Sequence, residues 1–93
     1  MECERVVSGH AIRRMFERGI GRVDVLSVVA SGEMIAEYAD DTPHPSRLLL
    51  GFVRLRAIHV VVALDSVAGT CIVVTAYEPT LDQWEDSFRR RKT

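Results

Sequence analysis

A chain of 93 residues has room for one hydrophobic core and no second domain, here residues 1–93 as a single unit. Apolar residues make up 47% and charged residues 27%, an ordinary globular mix that excludes a disordered chain. The net charge of −1 announces no bulk nucleic-acid surface, and the longest apolar run, 58–64 broken by His59, is far short of the roughly 20 residues a membrane span needs.

Residues 1–5 carry two Glu and no apolar stretch of signal-peptide length follows, so the expectation is a cytoplasmic protein. In that setting Cys3 and Cys71 are expected as reduced thiols; they could pair only if the fold brought their Cα atoms within about 7 Å. Eleven of the twelve basic residues are Arg. The guanidinium suits bidentate contact with phosphate or carboxylate, although GC-rich codon usage would give the same bias.

Ser8 is a candidate N-cap for a helix running to about Arg18, with Gly19 as the residue that stops it. At 100° per residue Ala11, Ile12, Met15 and Phe16 fall on one side and His10, Arg13, Arg14, Glu17 and Arg18 on the other. A second helix is expected over 22–31, with Val23, Leu26 and Val29 inward and Val25 as a further candidate, so the two form a hairpin across the Gly19–Gly21 connection. After Gly32 the apolar period changes to two. Strands are expected over 33–39, 46–53, 57–65 and 70–78, separated by the two-proline loop 40–45 and short turns. Short connections imply antiparallel neighbours. Leu81, Trp84 and Phe88 share a helical stripe, so a last helix from Thr80 or Asp82 should dock on the domain. The fold class is therefore α+β: an N-terminal helical hairpin on a four-stranded antiparallel meander, closed by a C-terminal helix.

The segment His10-Ala11-Ile12-Arg13-Arg14-Met15-Phe16-Glu17-Arg18-Gly19-Ile20 resembles the opening of a bacterial family catalogued as domain of unknown function 4258. The likeness continues through Gly32-Glu33, Pro43 to Ser46, Ile58-His59-Val60-Val61, Thr75 to Pro79, and Trp84. The resemblance implies a layout like that of RelE-like and MqsR-like toxins, which cleave RNA and are silenced by an antitoxin protein. Departures are that the sheet carries no Lys, that Ala57 stands where relatives often have Pro, and that His44 stands where an aromatic is common.

RNA cleavage without a metal needs a base for the 2′-OH, an acid for the leaving oxygen and cations for the phosphorane. His10, His59 and Tyr77 are the candidate catalytic residues. Arg14, Arg18 and Arg47 are the candidates for RNA binding. His10, Arg14 and Arg18 form an i, i+4, i+8 ridge, and His59 and Tyr77 lie on neighbouring strands. Along a regular strand Cys71, Val73, Thr75 and Tyr77 would share one face. Most of these candidates also have a structural reading: His10 could assist the N-terminal turn of the helix, donating to a nearby carboxylate. The Arg pair could be held by Glu17 or by acidic groups on the sheet, and Tyr77 could pack in the core. His59 could be a core histidine hydrogen-bonded to Thr75 or Tyr77. No zinc-type spacing, Gly-rich phosphate loop or nucleophile elbow occurs, so no metal or cofactor is expected. The leading expectation is a toxin-like ribonuclease with an RNA substrate and an antitoxin partner. The alternative is a non-catalytic protein- or RNA-binding module, favoured if His59 is sealed in the core and the Arg ridge is spent in pairs.

Overall fold

The structure, a computed structural model, describes residues 3–92. Its elements are β1 (Glu4–Val7), α1 (Gly9–Arg18), α2 (Arg22–Ser31), β2 (Glu33–Tyr38), β3 (Ser46–Val53), β4 (Arg56–Asp65) and β5 (Thr70–Tyr77). The strands form one sheet in the order β1-β5-β4-β3-β2. Four strands pair antiparallel, and β1 adds to β5 in parallel. The chain is thus α+β with a five-stranded mixed sheet, which corrects the four-stranded antiparallel meander. The reason is that β1 is four residues, Glu-Arg-Val-Val, too short to register as a period. Only its distant partner makes it a strand.

Helix α1 starts where Ser8 Oγ accepts the Ala11 N–H at 3.0 Å. It ends at Gly19, whose φ of 64° lets its N–H turn back to the Met15 and Phe16 carbonyls. It buries Ala11 and Met15, while Ile12 and Phe16 are exposed. Helix α2 buries Val29 and Val25 as expected and also Val28, while Val23 is exposed, which corrects its place in the inward stripe. Gly51 sets that rotation: a Cβ on it would lie 2.6 Å from Val28 Cγ2, so α2 can seat Val28 on β3 only over a glycine. Both helices share one core with Leu49, Ile58, Val60, Val62, Val73 and Ala76 of the sheet.

The opposite face of the sheet carries Leu48 and Leu50 in register with Val61 and His59. No helix closes it. Residues 79–92 run in turns, with a lone bridge between Trp84 and Arg91 and a 2.8 Å bond from the Lys92 N–H to the Gln83 carbonyl. The expected C-terminal helix does not form: Phe88 sits at φ 60°, Leu81 is exposed, and the Phe88 carbonyl and the Trp84 ring are both placed on His59 instead. Trp84 does dock, buried against the sheet.

Two further corrections concern β5. Val62 and Val61 pair with Val73 and Thr75, so Val74 is an extra, bulged residue. The bulge switches the strand's phase: Cys71 and Val73 face the helices, while Tyr77 pairs with His59 on the other side. The single shared face expected for Cys71 to Tyr77 does not exist. Cys3 and Cys71 form a disulfide with Cα atoms 5.6 Å apart, in place of the expected free thiols, because β1 lies against β5 at that level.

Candidate functional site

The switched register makes His59 and Tyr77 cross-strand partners, and their side chains meet. His59 is 0% exposed. Its Nε2 lies 2.8 Å from the Phe88 carbonyl oxygen and its Nδ1 lies 3.2 Å from the Tyr77 hydroxyl. A carbonyl can only accept, so Nε2 carries the proton; Nδ1 then accepts from the Tyr77 O–H. The ring is further boxed edge-on by Trp84, centroids 4.4 Å apart, and by Tyr77 at 5.2 Å. The result is a directed chain, Tyr77 O–H to His59 and His59 N–H to the Phe88 carbonyl. Its outer end is the half-buried phenol.

Burial pushes the His59 pKa below its ordinary 6.5, partly opposed by the Phe88 carbonyl that holds the Nε2 proton. Burial and the neighbouring Tyr38 push Tyr77 above 10, opposed by the Arg91 and Arg18 cations. Both groups are therefore neutral near pH 7. The tyrosine is the point at which buried imidazole, positive charge and solvent come together.

Arg18 is carried to this place by the end of α1. Its Nη1 donates to the Ala76 carbonyl at 2.8 Å and lies 3.4 Å from Thr75 Oγ1. Arg56 fixes that end in turn, donating to the Gly19 and Arg18 carbonyls at 3.0 and 3.1 Å and to Glu78 at 2.9 Å. From the other side residues 79–92 bring Arg89 and Arg91. With Tyr38, Tyr77, Trp84 and Leu48 they line a cavity of about 270 Å³. Arg89 is tied to both carboxylate oxygens of Glu33 at 3.0 Å. A larger hollow of about 570 Å³ lies beside Glu37, Asp40 and Asp41, where carboxylates would repel a phosphate.

Of the six residues singled out in the sequence, His59, Tyr77 and Arg18 come together. Arg14, one turn before Arg18, is bound to Glu17 at 3.0 Å. His10 stands exposed near the start of α1, and among the described residues no hydrogen bond joins it to His59 or Tyr77. Arg47 pairs with Glu37 at 3.3 Å; its register partner Val62 belongs to the helix-side core, so it points away from His59. Sequence reasoning missed Tyr38 and the Phe88 carbonyl, and read Arg91 only as part of a basic tail, without its place beside Tyr77. The apolar spacing of Leu81, Trp84 and Phe88 was the available sign that this stretch folds back onto the sheet, and Trp84 is the member of it that docks.

A family model described as "Domain of unknown function (DUF4258)" matches residues 7–78. The match ends just past Tyr77 and does not include the segment that covers His59. No curated protein and no solved structure matches the chain.

Proposed function

The chain belongs to the DUF4258 family, and we propose that it is a toxin-like ribonuclease cleaving RNA without a metal at Tyr77. The observation that carries this reading is the hydrogen-bond chain Tyr77–His59–Phe88, flanked by Arg18 and Arg91. In the proposed step the RNA 2′-hydroxyl gives its proton to the Tyr77 oxygen while Tyr77 passes its own to His59 Nδ1. The 2′-oxygen then bonds to phosphorus. The 5′-oxygen leaves with a proton from solvent, giving a 2′,3′-cyclic phosphate. Arg18 and Arg91 offset the charge on the phosphorane, and the Phe88 carbonyl steadies the imidazolium as it forms. His59 thus acts through Tyr77, as the positioned acceptor behind it.

A second reading, a non-catalytic interaction module, is favoured by one specific observation: His59 is wholly sealed, and Arg14 and Arg18 are already engaged. There the same bonds simply pin residues 79–92 to the sheet. The two readings separate in one experiment. For the ribonuclease, expression in a bacterial host arrests growth, and cellular RNA accumulates cyclic-phosphate ends. Tyr77→Phe, which keeps the ring and its packing, abolishes both while the chain stays folded, as a cooperative thermal melt checks. Harmless high-level expression with intact RNA would leave the module reading in its place.

A further inference from the structure

Helix α1 turns two large apolar side chains to solvent. Phe16 is 88% exposed and Ile12, one turn earlier, 51%. Neither is needed to seat the helix, because Ala11 and Met15 occupy its sheet-facing line. Helical spacing puts Ile12 and Phe16 side by side on the flank away from the His10–Arg14–Arg18 ridge, with Arg13 beside Phe16. An aromatic ring left almost wholly in water contributes nothing to folding and costs solubility, and such residues grouped together mark contact surfaces.

The charge around this pair is one-sided. Of the three Arg in helix α1, Arg14 and Arg18 lie on the opposite ridge and are engaged by Glu17 and the Ala76 carbonyl, which leaves Arg13 as the cation beside Phe16. The helix's single carboxylate, Glu17, is already taken by Arg14 at 3.0 Å. Arg22 opens α2 immediately after the turn, and among the described residues neither Arg13 nor Arg22 has an ion-pair partner. A face that is apolar in the middle and cationic at its margins fits an apolar surface with carboxylates at its rim.

We infer that the outer face of α1 is a protein-docking surface whose occupant is an acidic amphipathic helix of another polypeptide, its apolar residues three and four apart seated on Ile12 and Phe16. A second copy of this chain fits less well, since a two-fold contact would set like charges of the two α1 helices against each other. RNA fits less well because Phe16 is the one stacking ring of the pair, and Ile12 beside it offers a base no such surface. The inference does not depend on the ribonuclease reading; it concerns another flank of the helix and survives or fails on its own.

The test is selection from a displayed library of helical peptides against the full chain, with Phe16→Asp and Ile12→Ser variants as counter-targets. Because both residues are exposed, both variants should keep the wild-type melting temperature, which is checked first. The expected pool is rich in Asp and Glu around apolar pairs at i, i+3 or i, i+4. A synthetic member should bind with an affinity that falls roughly tenfold or more in Phe16→Asp, and weakens between about 50 and 300 mM salt. Four results overturn the inference. They are no enrichment, a pool without acidic bias, binding that survives Phe16→Asp, or a face claimed instead by self-association or by single-stranded RNA with the same Phe16 dependence.

Discussion

The two faces of the sheet are covered in different ways. On one, α1 and α2 lay Ala11, Met15, Val25, Val28 and Val29 against Ile58, Val60 and Val62, with no polar group in the cluster apart from the disulfide-bonded Cys71. On the other, a stretch of turns is held by one imidazole, one indole and an exposed ion pair between Arg89 and Glu33. Area-dependent burial stabilises the first and tolerates small shifts. Directed bonds hold the second, and these are lost as a set once His59 loses its geometry. The helix face therefore sets whether the chain folds. The other sets what can reach Tyr77.

The largest way to break this contrast is on the helix side. Ile58 is buried at the centre of that core. Ile58→Ala should cost about 3 kcal/mol by lost transfer energy and the cavity left behind. In a chain of this size that is a large share of total stability. Thermal or urea unfolding should show the whole domain losing stability in a single transition. Loss confined to residues 79–92 would mean that the two faces are not ranked as described.

This ranking was only half visible in the amino-acid order. Ser8 and Gly19 announce α1 through chemistry confined to a few neighbours, a hydroxyl that caps and a residue that accepts positive φ. Strands β3 and β4 show in their β-branched and leucine-rich runs. Three features were hidden because each depends on a distant partner. Strand β1 exists only through its pairing with β5. The bulge at Val74 has no signature among apolar neighbours, yet it decides that Tyr77 meets His59. The C-terminal stretch has helix-like spacing at Leu81, Trp84 and Phe88. The preference for placing both the Trp84 ring and the Phe88 carbonyl on His59 outweighs it. For the candidate residues the same division holds: types could be picked out, while their grouping waited on register.

A smaller effect, confined to acid, sharpens the comparison at His59. Its pKa is lower in the folded chain than in the unfolded one, where it is about 6.5. Between those values the unfolded state binds more protons, so stability rises with pH through that window. It is fully present above about 6.5 and is lost as pH falls toward the folded value. Thermal melts from pH 7 down to pH 5 should show a falling midpoint, and the His59→Gln variant should flatten that dependence. Hydrogen exchange should place the earliest acid loosening at 83–92, ahead of β4. An equal slope in His59→Gln would assign the acid sensitivity to other groups.

The smallest effect comes from the rim of the same segment. Arg89 and Glu33 are each about half exposed, at 47% and 51% of their side chains, so water screens the pair despite its 3.0 Å geometry. Arg89→Ala should cost about 0.5 kcal/mol or less in global stability. The pair nevertheless ties residues 79–92 to β2 at the edge of the 270 Å³ cavity. Its loss should therefore raise exchange at 85–92 while leaving α1, α2 and β4 unchanged. If instead exchange rises on the helix side as well, the two faces are coupled through the sheet. The segment over His59 would then be part of the common core, and access to Tyr77 would require unfolding rather than a local opening.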